Sequence, residues 1–223
     1  YEREMQKRFF VTATGTDIGK TFITAALARQ AKALGKSVAA YKPVMTGFDP
    51  AYLDGSDAGI LLKALDWPAD EKHLARVAPF RFREPLAPSM AARLENRVFP
   101  FDDLVAKTGL MLAGPEDVVL IEGIGGVMAP LDGQHAVIDW IAALSVPTLL
   151  VAGSYLGALS HTLCALSVLE QRDIPVRAVI VNETPDSPVD LEATADELAH
   201  RVKIPLIALR RNSNGAGLRG LLD

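Results

Sequence analysis

Four polar clusters of this chain could carry chemistry, and each follows a run of apolar residues. The first, TATGTDIGKT at residues 12–21, ends in Gly19-Lys20-Thr21. A strand-to-helix turn of this kind offers free backbone N–H groups and a lysine to phosphates, and a threonine hydroxyl to Mg²⁺. The usual pattern G-x-x-x-x-G-K-[ST] is incomplete because Thr14 stands where its first glycine is expected. A turn glycine followed by a surface lysine is therefore the alternative interpretation.

The other three clusters also begin where an apolar run ends. Lys42 follows the run at residues 37–41, Glu122 ends VVLIE, and Asn182 ends RAVIVN. Because ligands of open parallel sheets bind outside the carboxyl ends of the strands, these residues are expected to converge on one crevice. Glu122 would be a magnesium-binding acid, and Lys42 would favour an oxyanion or acyl phosphate. A solvated lysine and a capping or solvated glutamate are the alternatives.

Two further features lie close to these clusters in the sequence. Gly123, Gly125 and Gly126 permit backbone conformations or close approaches that suit a ligand lying against the turn. Asp57, within GSDAG, opens a helical run, and it could be only an N-terminal cap or a partner of the helix dipole.

The four histidines show no metal-ligand spacing, which favours structural or surface roles for His73, His135, His161 and His200.

The elements that must position these residues follow from apolar patterning. Continuous β-branched runs predict strands covered on both faces, at residues 8–13, 37–41, 118–122, 147–152, 177–182 and 205–209. Apolar residues at three- and four-residue spacing predict helices at 20–34, 157–171 and 188–202. This alternation predicts an α/β fold with a doubly wound, mainly parallel sheet flanked by helices on both faces. We expect one domain over residues 1–223, in which the proline-broken stretch 43–117 is an insertion.

Composition limits the classes of partner. The 223 residues are 49% hydrophobic and 22% charged with a formal net charge of -4, and no basic stripe is present, so we expect no nucleic-acid partner. The start, YEREMQKR, is charged, and no run of 18 uncharged apolar residues occurs, so no membrane segment is expected. Cys164 is the single cysteine and lies in an apolar helical run, which predicts a buried, inert thiol and a reducing, cytoplasmic setting.

Taken in order, the motifs resemble those of the dethiobiotin synthetase family, P-loop NTPase-like, ATP-dependent carboxylases that close the ureido ring in biotin biosynthesis. The resemblance covers about residues 8–209. The family loop F-V-T-G-T-D-T-x-V-G-K-T is similar to residues 10–21 and is one residue longer between its glycines than the usual pattern. The family motifs YKPV-x-[ST]-G, SDA and EGAGG are similar to residues 41–47, 56–58 and 122–126. The segments EP-x-x-P and LG-x-x-[NS]-H match residues 84–88 and 156–161.

The resemblance implies a role for each of these positions. The implied Mg²⁺ ligands are Thr21, Asp57 and Glu122. The implied ATP-binding residues are Thr16, Asp17, Ile18, Gly19, Lys20, Thr21, Phe22 and Asn182, of which Asn182 would read the adenine. The carbamate or diamine would contact Thr16, Lys42, Thr46, Gly125 and, from the neighbouring subunit of a homodimer, Ser160. The implied catalytic residues are Lys20, Lys42 and Thr46.

The resemblance also implies the reaction, in which 7,8-diaminononanoate and CO₂ are converted with ATP and Mg²⁺ to dethiobiotin, ADP and phosphate. A carbamate forms on one amine, its oxygen attacks the γ-phosphate, and the second amine displaces phosphate from the carbamic-phosphoric anhydride. Lys20 and Lys42 would neutralise the charge on the carbamate and the transferring phosphoryl group. No covalent enzyme intermediate is needed.

The main alternative is a partitioning or septum-site type P-loop ATPase switch of the same fold class. Such proteins carry a second lysine near the front of the loop, and no lysine occurs between Thr12 and Ile18. A nonenzymatic nucleotide-binding regulator would not need Lys42 and the EGIGG turn at one edge. A nucleoside kinase would be expected to have a lid-like arginine pair, for which Arg210 and Arg211 are the only candidates.

Two departures from the family pattern stand out. Ala13 replaces the usual first glycine of the loop, and Gly15 stands where aspartate is common. After the last strand, the family's G-x-I-P is replaced by residues 208–211, ALRR. The resemblance therefore implies no particular nucleobase contact from that segment.

Overall fold

The computed structural model describes residues 6–211 and 213–223, so part of the charged start, residues 1–5, lies outside the described residues. The strands are β1 (Lys7–Ala13), β2 (Val38–Tyr41), β3 (Val44–Met45), β4 (Phe80–Arg81), β5 (Val118–Glu122), β6 (Thr148–Gly153), β7 (Val176–Asn182) and β8 (Leu206–Leu209). Six of them form a sheet in the order β2-β5-β1-β6-β7-β8. All neighbouring pairs in it are parallel, which confirms the predicted fold class.

Helices cover both faces of this sheet. They are α1 (Lys20–Ala33), α2 (Asp57–Leu65), α3 (Glu71–Val77), α4 (Pro88–Leu94), α5 (Phe101–Leu112), α6 (Val137–Leu144), α7 (Ala158–Gln171) and α8 (Leu191–Ala199), with 3₁₀ turns at Pro50–Gly55 and Ala216–Leu221. The predicted helices are confirmed with shorter ends. Gly35, at φ +73°, follows the end of α1, and Asp190 caps α8 by accepting a hydrogen bond from the N–H of Ala193 at 2.8 Å.

The continuous apolar runs are explained by two separate cores. Alternate residues of one strand enter different cores, because successive side chains point to opposite faces. Phe9 and Val11 pack in the core beneath α1, α2 and α3, whereas Phe10 packs in the core beneath α4 to α8. In the second core Phe10 meets Trp140 edge to face at 4.7 Å, and the indole N–H donates to the hydroxyl of Thr108 at 3.0 Å.

The stretch 43–117 carries elements that the sequence did not reveal. Strands β3 and β4 form a separate two-stranded parallel pair. The N–H of Gly47 donates to the carbonyl of Glu84 at 3.0 Å, which holds the residues after β3 against the segment after β4. This arrangement brings Thr46 and Pro85 to the carboxyl edge of the main sheet.

The prediction of a buried thiol was wrong, because Cys164 is exposed on α7. The buried face of α7 consists of Ala158, Thr162, Ala165, Leu166 and Leu169, which leaves position 164 on the solvent side. The apolar run therefore overstated the width of the buried stripe. Among the helices of the described ranges, none combines the length and apolarity that a bilayer-spanning helix requires.

Candidate active site

The loop between β1 and α1 is shaped by one glycine and one asparagine. Gly19 precedes α1 at φ +103°, a conformation that L side chains rarely adopt. A Cβ atom added there would lie 2.3 Å from Nδ2 of Asn182. That same Nδ2 donates to the carbonyl of Ile18 at 3.0 Å, which fastens the loop to the end of β7. Gly19 is therefore required both by backbone conformation and by the close approach of Asn182.

Ala13 is accommodated because it belongs to the strand and not to the turn. It is the last residue of β1, is fully buried, and its carbonyl accepts a hydrogen bond from the N–H of Val127 at 3.0 Å. It is not among the described residues with positive φ. A position in the strand has no need of glycine, so this departure from the family loop leaves the phosphate-binding half unchanged.

Lys20 lies in the first turn of α1 and is 6% exposed. Its ammonium donates to the carbonyl of Gly15 at 3.0 Å, across the loop. Burial lowers the pKa of Lys20, and the nearby charge of Lys42 lowers it further, to about 8. An anion bound in the loop would oppose both effects and raise the pKa of Lys20, because it would stabilise the charged ammonium, so the loop favours a ligand with negative charge.

Lys42 and Glu122 form a buried ion pair at the carboxyl ends of β2 and β5. Glu122 is fully buried and Lys42 is 4% exposed. The ammonium of Lys42 lies 2.7 Å from Oε1 of Glu122 and 3.0 Å from Oδ2 of Asp57. The hydroxyl of Thr21 donates to the same Oε1 at 2.7 Å. The interpretations of Lys42 and Glu122 as solvated surface residues are therefore wrong.

The electrostatics of this cluster follow from the pairing. Burial alone would lower the pKa of Lys42, but the carboxylates of Glu122 and Asp57 together outweigh it, so the pKa is raised. Partial burial would likewise raise the pKa of Asp57, and the contact with Lys42 outweighs that effect and lowers it. Lys42 is therefore charged at neutral pH, and Asp57 is ionised.

The donor set fits a magnesium ion. Mg²⁺ prefers carboxylate and hydroxyl oxygens, which Glu122, Asp57 and Thr21 supply. The buried Oε2 of Glu122 has no hydrogen-bond partner among the described residues, so one oxygen of a desolvated carboxylate is left for a further ligand. In the described part of the chain no group of three or more His, Cys, Asp or Glu side chains could hold a metal. The candidate site thus has two carboxylates and relies on the threonine hydroxyl.

A cleft of about 520 Å³ opens above these residues. It is lined by the loop, the ends of β2 and β3, the start of α2, and the turn after β5. Nine of the predicted residues line it, namely Thr16, Asp17, Gly19, Lys20, Thr21, Lys42, Thr46, Asp57 and Gly125. Gly125 has φ +61°, and a Cβ atom there would lie 2.8 Å from Cβ of Ala129. The predicted convergence on one crevice is confirmed for these positions.

Comparisons with known proteins identify relatives of this chain. A family model described as an AAA domain matches residues 7–209. The ATP-dependent dethiobiotin synthetase BioD of Acidiphilium cryptum is 46% identical over 191 residues, which are 85% of this chain and 86% of that protein. The enzyme of the same name from Phenylobacterium zucineum is 42% identical over 97% of this chain and 94% of its own length.

The chain belongs to the dethiobiotin synthetase family. Among solved structures, the septum site-determining protein MinD of Pyrococcus horikoshii, complexed with Mg-ADP, has a TM-score of 0.54 at 17% identity. The match covers 98% of this chain and 94% of that one. A likeness at this level of identity shows the shared P-loop NTPase fold alone. The fold therefore does not distinguish a dethiobiotin synthetase from a septum-site type ATPase switch. The assignment to the family rests on the sequence relatives.

Five predicted positions are not among the residues that line the cleft. Glu122 is fully buried and contacts the lining residues Thr21 and Lys42. Ile18 and Phe22 are partly buried and pack against the core beneath α1. Asn182 lies behind the loop, and its Oδ1 is buried with no hydrogen-bond partner in the described part of the chain. Ser160 is exposed in the first turn of α7, outside the residues that form the cleft.

Three residues that line the cleft were missed by the sequence reasoning, namely Met45, Pro85 and Ile124. Each lies within a motif quoted for the dethiobiotin synthetase family. Their apolar side chains give no chemical signal in the sequence, whereas binding clefts are usually lined in part by apolar residues.

Two arginines follow β8 near the end of β7. Arg210 pairs with Glu192 and lies 3.9 Å from Glu183, while the backbone N–H of Arg211 donates to Glu183 at 3.0 Å. Asn182 is paired in register with the last residue of β8. The segment that departs from the dethiobiotin synthetase family pattern therefore lies beside the residue proposed for the nucleobase.

Proposed function

We propose that this chain uses ATP and Mg²⁺ to convert 7,8-diaminononanoate and CO₂ to dethiobiotin, ADP and phosphate. Its family membership makes it an ATP-dependent ligase of biotin biosynthesis. The observation that carries the finer proposal is Lys42, a second buried lysine on the wall of the cleft that holds Lys20. Binding a nucleotide alone would not need that second cation, whereas a carbamate facing a γ-phosphate would.

The nucleotide phosphates would bind the turn at Gly19-Lys20-Thr21. The backbone N–H groups at the start of α1 and the ammonium of Lys20 would hold the anion. Thr21, Asp57 and Glu122 would hold Mg²⁺, which when bound would neutralise charge on the β- and γ-phosphates. The unpartnered oxygen of Glu122 supports that assignment.

The diamine and its carbamate would occupy the same cleft as the phosphates. Thr16, Thr46 and the backbone at Gly125 supply polar contacts, and Met45, Pro85 and Ile124 supply an apolar wall for the hydrocarbon chain. One amine adds CO₂ and loses a proton to give the carbamate. The carbamate oxygen then bonds to the γ-phosphorus as ADP leaves. The second amine bonds to the carbonyl carbon and loses a proton as phosphate leaves. Lys20 and Lys42 would neutralise the developing oxyanions.

Asn182 is proposed to read the adenine. An amide can donate and accept hydrogen bonds at once, and the buried Oδ1 of Asn182 has its acceptor capacity free within the described ranges. In Asn182→Ala, competition between ATP and other nucleoside triphosphates should show a loss of discrimination. An unchanged preference for ATP would remove this assignment.

A homodimer is also proposed, in which the segment around Ser160 reaches the substrate site of the neighbouring subunit. The exposure of Ser160 supports this arrangement. Sedimentation of the purified protein should give twice the mass of one chain, and mixing Ser160→Trp with an inactive Lys42→Ala chain should restore part of the lost activity. A monomer with full activity would contradict the proposal.

The synthetase activity is tested by the product. Incubation with ATP, Mg²⁺, 7,8-diaminononanoate and ¹³C-labelled bicarbonate should give dethiobiotin with the label in its ureido carbonyl, detected by mass spectrometry. Lys42→Ala should lose turnover and still bind nucleotide, whereas Lys32→Ala, which removes a surface ion pair with Asp66, should keep both. Near-normal rates for Lys42→Ala would refute its catalytic role.

A further inference from the structure

One oxygen of Glu122 is shared by two groups that have different tasks in the proposed reaction. The hydroxyl of Thr21 and the ammonium of Lys42 both lie 2.7 Å from Oε1. Lys42 also lies 3.0 Å from Asp57, so its ammonium bridges the two carboxylates that we propose as metal ligands. Lys42, which we propose to contact the carbamate, and the proposed metal ion therefore share the carboxylates of Glu122 and Asp57 as partners.

The burial of this cluster makes a cation between the carboxylates necessary. Glu122 is fully buried, and an unpaired carboxylate in that environment would carry a large desolvation penalty. In the free protein the ammonium of Lys42 supplies the compensating charge. A divalent cation bound to Glu122 and Asp57 would supply more charge at the same place, and it would repel a fixed ammonium close by.

We propose that Lys42 is a placeholder for the metal, so that Mg²⁺ binding displaces its ammonium from Asp57 and Glu122 and frees it for an anionic substrate. This inference rests on the proposed function in one respect, which is that the same two carboxylates bind the metal. Lys42 itself lines the cleft, so an ammonium released from the carboxylates already faces the space where an anion would bind. Metal loading would thus come before the lysine becomes available to the carbamate.

The test is a direct competition between the lysine and a metal. Mn²⁺ is the probe, and its free concentration is measured by electron paramagnetic resonance in the presence of ADP, without diamine or bicarbonate. Lys42→Met, which keeps the length of the side chain and removes its charge, should bind Mn²⁺ about tenfold more tightly than the unmodified protein. Lys42→Arg keeps the charge and should bind it no more tightly. The control Lys32→Met, in a surface ion pair, should leave the affinity unchanged.

Two outcomes would contradict the proposal that Lys42 is a placeholder for the metal. An Mn²⁺ affinity in Lys42→Met that is equal to or weaker than that of the unmodified protein overturns it, as does an equal gain in Lys42→Arg. If Lys42→Met fails to fold by circular dichroism, Lys42→Gln, which is neutral and polar, takes its place with the same expectation. Glu122→Gln should weaken Mn²⁺ binding, and an unchanged affinity in that variant would overturn the shared site.

Failure of this inference is distinguishable from failure of the proposed function. Formation of labelled dethiobiotin together with no gain in Lys42→Met would remove only the placeholder. A gain in Lys42→Met without any dethiobiotin would leave the competition intact and remove the synthetase reaction.

Discussion

Replacing Gly19 by alanine should destabilise the protein and displace the phosphate-binding loop. The backbone at Gly19 has φ +103°, and the new Cβ atom would lie 2.3 Å from Nδ2 of Asn182. Positive φ costs an L-residue about 1 to 2 kcal/mol. Moving Asn182 aside would also break its hydrogen bond to Ile18, which is worth about 1 kcal/mol. The expected loss in the free energy of unfolding is therefore about 2 to 3 kcal/mol.

Urea unfolding of a double-mutant cycle separates the two contributions. In an Asn182→Ala background the clash and the hydrogen bond are both absent, so Gly19→Ala should cost only the backbone strain, about 1 to 2 kcal/mol. ADP affinity should fall in Gly19→Ala because the loop carbonyl at Ile18 loses its support. Gly109→Ala is the matched control, since a Cβ atom at that position of α5 would meet no atom within 4 Å in the described part of the chain.

Comparison with the control variant, and comparison of the two backgrounds of the cycle, each give a result that would refute this prediction. Alanine at position 109 should be neutral or slightly stabilising, because alanine favours helices more than glycine does. If Gly19→Ala behaves like Gly109→Ala, the loop does not need a glycine. If the cost of Gly19→Ala is the same with and without Asn182, the contact between the loop and β7 carries no stability.

Three further predictions follow from buried or paired groups. The pKa of Lys20 is lowered to about 8, and bound phosphates favour its charged form. The affinity for ADP, measured by calorimetry, should therefore fall as pH rises above about 8. In Lys20→Arg, which stays charged, the affinity for ADP should not change over this pH range. Thr108→Val would leave the buried indole N–H of Trp140 unpaired and should cost about 1 to 2 kcal/mol in thermal unfolding, and an unchanged midpoint would contradict this. Partial burial would raise the pKa of Asp132, but hydrogen bonds from His135 outweigh it and lower the pKa. The stabilisation of the folded protein by the ionised Asp132 is present above the pKa of the unfolded state and is lost as pH falls through the pKa of the folded state. Asp132→Asn should therefore be less stable than the unmodified protein by about 1 kcal/mol at neutral pH and equally stable in acid. A difference in stability that stays constant with pH would show that the charge plays no part.

Much of the fold could be predicted from the sequence because its strands are buried on both faces. The run at residues 118–122 matches β5 residue for residue, and it carried the prediction that Glu122 ends a buried strand. The order of the strands could not be predicted. Strand β5 lies between β1 and β2, and a local apolar pattern contains no information on which strand pairs with which.

The sequence predicted which residues form the site but not which of them contact one another. Lys42 and Asp57 were each identified separately, and their ion pair depends on how residues 43–56 fold back to the sheet edge. The missed apolar lining and the exposed thiol of Cys164 have a common cause. Apolar character alone does not tell whether a side chain faces a core, a cleft or solvent.

Phosphate release is the most direct test of the central claim that this chain is a dethiobiotin synthetase. The purified protein is assayed with ATP and Mg²⁺ while 7,8-diaminononanoate and bicarbonate are omitted in turn, and dethiobiotin is quantified in the same samples. We expect phosphate release only when both substrates are present, in equal amount to the dethiobiotin formed. ATP hydrolysis at the same rate without the diamine would contradict the synthetase assignment and favour a nucleotide switch.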